Sequence, residues 1–308
     1  MKKINIIIPI YNEKESIMEL IETIQASIIG LNYEFTFTLI DDGSNDNSWE
    51  IIKNLKIGNL KIRKLKFSRN FGHQAAIFSG IEYFDEDAAL FIDGDFQDNP
   101  KYIPELIKKW EDNFDIVLAK RISRKENFIR KLAINTYFKI QNRLSDINIP
   151  KNVGHFSILD KKIIEVIKTF PENKKFLVGI RAYVGFKVAY IDVIKEKRKY
   201  GNPKMNIKKL IKLSSEGIIG FSTAPLNFIG IFGILISFSA LSFAIYTLIK
   251  NILFDVKVLN WDFGLTSIYF LSGIQLLSIS ILGQYIAKIF EETKNRPFYI
   301  IEDFINSD

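Results

Sequence analysis

Residues 1 to about 120 alternate short strand-like segments, rich in apolar residues, with helix-like stretches. Ile4 to Ile10 is the first run, and Asn12-Glu13-Lys14-Glu15 then opens an amphipathic helix through about Ile28. Phe35 to Ile40 is a second strand, ending at Asp41-Asp42-Gly43-Ser44-Asn45-Asp46-Asn47-Ser48, a composition that supplies both a tight turn and a helix cap. Ile62 to Phe67 is a third, followed by Ser68-Arg69-Asn70-Phe71-Gly72-His73 and a helix to about Phe84. A fourth run, Ala88 to Ile92, stops at Asp93-Gly94-Asp95-Phe96-Gln97-Asp98, and Asp115 to Ala119 makes a fifth that stops at Lys120-Arg121. Such alternation predicts an α/β domain with a largely parallel sheet covered by helices. Polar residues gather just after each strand, which is where ligand crevices form in such sheets.

Farther along, the pattern changes. Phe228 to Ile249 contains no charged residue and neither does Phe263 to Ala287. Each exceeds the roughly 20 residues a helix needs to cross a bilayer core. A two-span hairpin is the reading adopted; two buried core helices are the competing one. Met205 to Phe221 mixes Ile, Leu and Lys at helical spacing, as an interfacial helix would, with a linker helix packed on the enzyme as the alternative. The expected division is a catalytic domain over 1–204, a juxtamembrane helix over 205–226, two spans within 227–290 and a cytoplasmic tail over 291–308. Gly230, Gly233, Ser237, Gly273 and Gly283 could let helices approach closely, and hence permit homo-oligomers.

Charge sharpens this picture. The net charge is +7, and much of the basic excess flanks the apolar segments. From Lys195 to Lys212, ahead of them, Lys195, Lys197, Arg198, Lys199, Lys204, Lys208, Lys209 and Lys212 stand against Glu196 alone, and Lys288, Lys294 and Arg296 follow the segments. The connecting loop holds Lys250 and Lys257, balanced by Asp255 and Asp262. The positive-inside bias therefore places both termini of a multi-pass protein in the cytoplasm. No motif supports nucleic-acid binding, so the basic charge is assigned to the membrane side. Lys2 and Lys3 precede an apolar run too short for an export signal. The absence of Cys excludes a disulfide framework and thiolate chemistry. Neither G-x-G-x-x-G nor a Walker A loop is present, which argues against a dinucleotide dehydrogenase or a P-loop NTPase.

Candidate chemistry centres on Asp93 and Asp95. Two carboxylates one residue apart at a strand's end repel each other, and an oxygen-seeking cation such as Mg²⁺ or Mn²⁺ relieves the repulsion. Asp, Gly and Asn are also ordinary turn residues, so a plain strand-to-turn junction fits the same stretch.

Taken together, Pro9-Ile10-Tyr11-Asn12-Glu13, Asp41-Asp42-Gly43-Ser44, Ser68-Arg69-Asn70-Phe71-Gly72, Asp93-Gly94-Asp95-Phe96-Gln97-Asp98 and Val153-Gly154-His155-Phe156 stand in the order and spacing of family 2 glycosyltransferases. More narrowly, the chain resembles the polyprenyl-phosphate type, which includes bactoprenol glucosyltransferases and dolichol-phosphate mannose synthases. Phe221-Ser222-Thr223-Ala224-Pro225-Leu226 and Leu271-Ser272-Gly273-Ile274-Gln275-Leu276-Leu277 extend the resemblance into the apolar segments. It implies a GT-A domain on a bacterial plasma membrane, moving a hexose from a nucleotide sugar, UDP-glucose first and UDP-GlcNAc or GDP-mannose next, onto undecaprenyl phosphate with inversion. By the same resemblance, Pro9, Tyr11, Glu13, Asp41 and Asp42 hold the nucleoside. Asp93, Asp95 and Gln97 ligate Mg²⁺ or Mn²⁺, with Asp93 also toward the donor. Arg121 stands near the phosphates, Arg198 and Lys204 lie in a phosphate-contacting loop, and Arg130 is assigned to the lipid phosphate. Arginine suits these roles through its planar, two-pronged fork.

One position departs from the family. Bacterial members of the bactoprenol type usually read Gly-Asp-Phe-Arg, with the Asp proposed as catalytic base, where this chain reads Gly154-His155-Phe156-Ser157. His155 becomes the candidate to orient the acceptor or take a residual proton, a structural histidine being the alternative. A polysaccharide synthase would carry Gln-x-x-Arg-Trp, and none of Trp49, Trp110 or Trp261 sits in that context. An inert membrane scaffold would be expected to have lost the carboxylate pair, which is intact.

Overall fold

The computed structural model describes residues 1–58, 60–122, 150–172, 175–194, 222–254 and 261–307. Arg130, Arg198, Lys204 and residues 205–221 of the expected juxtamembrane helix lie outside these residues. The chain divides into two compact units. One joins residues 1–139, 147–209 and 295–308, and the other joins 140–146 and 210–294.

In the first unit the apolar runs become strands β1 (Lys3–Ile10), β2 (Glu34–Asp41), β3 (Lys61–Phe67), β4 (Ala88–Phe91) and β5 (Ile116–Arg121). Three more follow: β6 (Val153–Asp160), β7 (Val188–Val193) and β8 (Ile301–Ser307). They form one eight-stranded sheet in the order β7-β5-β6-β4-β1-β2-β3-β8. β1 pairs in parallel with β2 and β4, β2 with β3, and β5 with β7. β6 runs antiparallel between β4 and β5, and β8 is antiparallel to β3.

Helices α1 (Ile17–Ile28), α2 (Ser48–Asn54), α3 (His73–Glu82), α4 (Ile103–Glu111), α5 (Lys161–Lys168) and α6 (Leu177–Tyr183) cover both faces. Ile4, Ile6, Ile8 and Ile10 join α1, α2 and α4 in one buried cluster, whereas Ile7 joins α3, α5 and α6 in the other. That period of two, with both faces covered, is why β1 reads as a nearly continuous apolar run instead of an alternating one. Asn5, a polar break in the first run, is buried and accepts the Thr38 hydroxyl at 2.8 Å on its Oδ1.

Two boundaries differ from the sequence expectation. α1 starts at Ile17, not near Asn12, because Asn12 adopts φ 51° and residues 12–16 form a turn instead. The stretch expected as a cytoplasmic tail contains β8, which the sheet uses as its edge next to β3. There Lys66 meets Glu302 at 2.9 Å, and Tyr299, just before β8, stacks on Phe67 at 4.9 Å.

The second unit contains α7 (Ala224–Phe254) and α8 (Trp261–Thr293). Both are long and apolar enough to cross a membrane, and none of their most apolar stretches is buried. Tyr285 Oη donates to the Ser222 carbonyl at 2.8 Å.

Candidate active site

The carboxyl ends of β1 to β5 and the amino end of β6 lie along one edge of the sheet, and the residues singled out in the sequence gather there. After β1, Asn12 N donates to Ser44 Oγ at 2.9 Å, and Asn45 N donates back to Asn12 Oδ1 at 2.8 Å. This reciprocal pair fixes Tyr11 and Glu13 beside the turn after β2. Ser16 Oγ donates to the Gly94 carbonyl at 2.9 Å, tying the β1 turn to the β4 turn. Gly94 is required at that crossing, since an added Cβ would lie 2.9 Å from the Pro9 carbonyl oxygen.

Asp41 and Asp42, at the end of β2, are both buried. Asp42 accepts the Phe71 N–H at 2.7 Å and the Gly72 N–H at 3.0 Å. Burial nonetheless outweighs these bonds and pushes its carboxyl up to about 6. Gly43 has φ 64°, and a Cβ there would fall 2.3 Å from the Arg69 carbonyl carbon. The 41–44 and 69–72 turns are thus locked together through backbone.

The β4 turn differs. Asp93 Oδ1 accepts from His73 Nε2 at 2.9 Å. Burial alone would raise the Asp93 carboxyl, but His73, with Arg121 beyond it, holds it well below the usual carboxylate range. The reciprocal effect raises His73: desolvation opposes the charge, and Asp93, Asp42 and Asp95 overcome it. Phe96 takes φ 59°, and Asp95 Oδ1 accepts the Gln97 N–H at 3.2 Å, curling the turn back on itself. Asp98, buried, receives Arg121 Nη2 at 3.0 Å, which orients the guanidinium at the end of β5.

His155 arrives from β6 by register. β4 and β6 pair Phe91 with Ser157, and two residues further on the same antiparallel register sets Asp93 opposite His155. The His73 and His155 rings lie 4.6 Å apart. Burial first, then the neighbouring His73, pushes His155 down to about 3, so its imidazole is neutral. Arg181, from α6, is buried and donates to the Gly154 carbonyl and to Ser157 Oγ, both at 2.7 Å.

Of the expected residues, Pro9, Tyr11, Glu13, Asp41, Asp42, Asp93, Asp95, Gln97, Arg121 and His155 all fall on this edge. His73, Gln74, Asp98 and Arg181 join them without having been assigned roles from sequence. The signal for His73 was available: the chain has only two histidines, and each directly follows a glycine. The donor set suits a divalent cation. Asp93, Asp95 and Gln97 offer its oxygens on one turn, and among the described residues one nitrogen each of His73 and His155 lies within 4.8 Å of an Asp93 oxygen.

Comparison with known proteins agrees with this architecture. The family model for glycosyl transferase family 2 matches residues 5–168. A prophage bactoprenol glucosyl transferase homolog of Escherichia coli (strain K12) is 36% identical over 301 residues, covering 97% of this chain and 98% of its own. A bactoprenol glucosyl transferase of Shigella phage SfV is 36% identical over 305 residues, covering 98% of each chain. An uncharacterized glycosyltransferase of Synechocystis sp. is 33% identical over 302 residues, covering 98% of this chain and 95% of its own. Among solved structures, glucosyl-3-phosphoglycerate synthase from Mycobacterium tuberculosis with phosphoglyceric acid shares the fold, with a TM-score of 0.50 at 16% identity over 71% of this chain and 78% of that one. With a matched family model over more than half its length and relatives this similar end to end, the chain belongs to glycosyl transferase family 2, a glycosyltransferase with a GT-A-like α/β domain followed by two apolar helices.

Proposed function

We propose that this enzyme transfers a hexose, glucose from UDP-glucose, onto a membrane-borne polyprenyl phosphate of the undecaprenyl type, inverting the anomeric centre. The observation that carries the reading is the extent of the likeness: relatives named bactoprenol glucosyl transferase align over 97–98% of both chains, the apolar helices included. The bond that forms joins the anomeric carbon to an acceptor phosphate oxygen. The bond that breaks joins that carbon to the diphosphate, which leaves as UDP.

The residues divide this work. Tyr11, Glu13, Asp41 and Asp42 are proposed to hold the nucleoside, with Pro9 shaping the floor beside Gly94. Asp93, Asp95 and Gln97, with His73 alongside, would hold a divalent cation, Mg²⁺ or Mn²⁺, which when bound offsets charge developing on the leaving diphosphate. Arg121, already oriented by Asp98, presents its guanidinium to the same charge. Arg198, Lys204 and Arg130 are proposed for the phosphates of donor and lipid by resemblance alone.

Membrane anchorage through α7 and α8, with the sheet in the cytoplasm, completes the reading. β8 follows both helices in sequence yet pairs with β3, which precedes them, so a chain that crosses a bilayer must return to the side it left. Two crossings satisfy that, and the basic residues flanking the helices favour the cytoplasmic side. The test is to incubate membranes containing the protein with radiolabelled UDP-glucose, UDP-GlcNAc and GDP-mannose in turn and to extract the lipid. Labelled lipid from UDP-glucose is expected; no labelled lipid from any donor would defeat the proposal.

A further inference from the structure

A short hydrogen-bond relay determines which nitrogen of His155 carries the proton. Leu177 N, at the start of α6, donates to Gln74 Oε1 at 3.1 Å. A backbone N–H can only donate, so the Gln74 carbonyl must face Leu177 and its NH₂ must face the other way. That NH₂ lies 2.9 Å from His155 Nε2. Since an amide nitrogen also only donates, Nε2 must accept, and a neutral His155 carries its proton on Nδ1. The assignment comes from the network, one end of which is a backbone group whose polarity is fixed.

The surroundings hold that arrangement. Arg181 grips the Gly154 carbonyl and Ser157 Oγ, and Ser157 Oγ donates to the His155 carbonyl at 2.7 Å, so the backbone on both sides of the ring is pinned. On the other side, His73 is engaged with Asp93 through Nε2.

We propose that Gln74 is a positioning residue that keeps His155 neutral with an Nδ1–H, so that the ring offers the acceptor a hydrogen-bond donor and not a base. The inference rests on the polyprenyl-phosphate reading and deepens it by naming the acceptor class. A phosphate monoester, with a second pKa of about 6, arrives mostly as a dianion and asks for N–H donors. A sugar hydroxyl must lose a proton to attack and asks for a base. A donor imidazole therefore selects an anionic oxygen as nucleophile and leaves a hydroxyl acceptor without proton removal at this position.

The chain's two histidines make this directly measurable. Full-length protein labelled with ¹⁵N-histidine, in detergent at neutral pH, gives two rings in a long-range ¹⁵N–¹H correlation spectrum, and a His73→Gln variant assigns them. The expected wild-type pattern for His155 is a protonated Nδ1 and a bare Nε2. Gln74→Glu places an acceptor against Nε2 and should move a proton there. It should also raise KM for the lipid phosphate by about 10–100-fold, the scale for a lost orienting partner, with little change in KM for the nucleotide sugar. A wild-type His155 protonated at Nε2, or a ring pattern untouched by Gln74→Glu, overturns the proposal. The wild-type spectrum decides even where the variant does not fold. Failure of the lipid-labelling assay, by contrast, removes the acceptor reading without altering the tautomer result.

Discussion

The turn after β2 buries its carboxylates and the turn after β4 leaves Asp93 half-buried at the same sheet edge, and the two are held by different kinds of group. Asp41 and Asp42 are met by backbone N–H donors of Ser44, Phe71 and Gly72. Asp93 is met by the His73 ring, with Arg121 and His155 nearby. A carboxylate satisfied by backbone can move only if the scaffold moves. One satisfied by side chains can exchange them for a ligand's cation or phosphate at small cost. The outcome is also electrostatic: burial dominates at Asp42 and raises it, whereas neighbouring cations dominate at Asp93 and lower it. The first turn is therefore a preformed wall, and the second is the part that responds to charge.

The largest effect should come from the responsive turn. Asp93→Asn is expected to lower transfer to lipid by about 10²–10³-fold, the loss typical of removing one electrostatic contact to a developing charge, while the circular dichroism of the sheet is retained. Divalent-dependent turnover at the wild-type rate would erase the distinction between the turns. The wall should instead fail through stability. Gly43→Ala forces a side chain into φ 64° and against the Arg69 backbone, so a loss of about 1–3 kcal/mol from the backbone conformation alone is expected in thermal unfolding, with the clash adding to it. An unchanged midpoint would mean that the 41–44 and 69–72 turns are not locked. The smallest effect is a pH dependence. Asp42 binds its proton more tightly folded, at about 6, than unfolded, at 3.8, so its favourable contribution is complete below pH 4 and is lost as pH rises through 6. Asp42→Asn, neutral throughout, should gain stability relative to wild type between pH 4 and 7. A flat difference over that range would assign the wall's stability elsewhere.

Much of this is legible in the sequence. β1, β2, β4 and β5 are rich in apolar residues and buried on both faces of the sheet, β3 mixes apolar with basic residues, and the acidic turns after β2 and β4 carry the family's motifs. β6 and β8 were not legible as strands. Val153–Asp160 is interrupted by Gly154 and His155 and acquires its meaning only by lying between β4 and β5. Ile301–Ser307 reads IEDFINS, with polar residues in pairs and no strand-like alternation, which in isolation resembles a charged tail. The site divides likewise. Asp93 and Asp95 were found because the carboxylates adjoin in sequence. The His73 to Asp93 contact and the Gln74 to His155 relay span 20 and 81 residues, and no local pattern encodes them.

Placing β8 beyond both apolar helices has a consequence for biosynthesis. Translation delivers β1 to β7 first and leaves the outer edge of β3 without a partner while α7 and α8 are made. An unpaired strand edge is a site for misassociation, and here it persists until residues 301–307 leave the ribosome. Completion of the catalytic sheet therefore waits on synthesis of the helices, so a chain stalled before them lacks the strand that closes its edge.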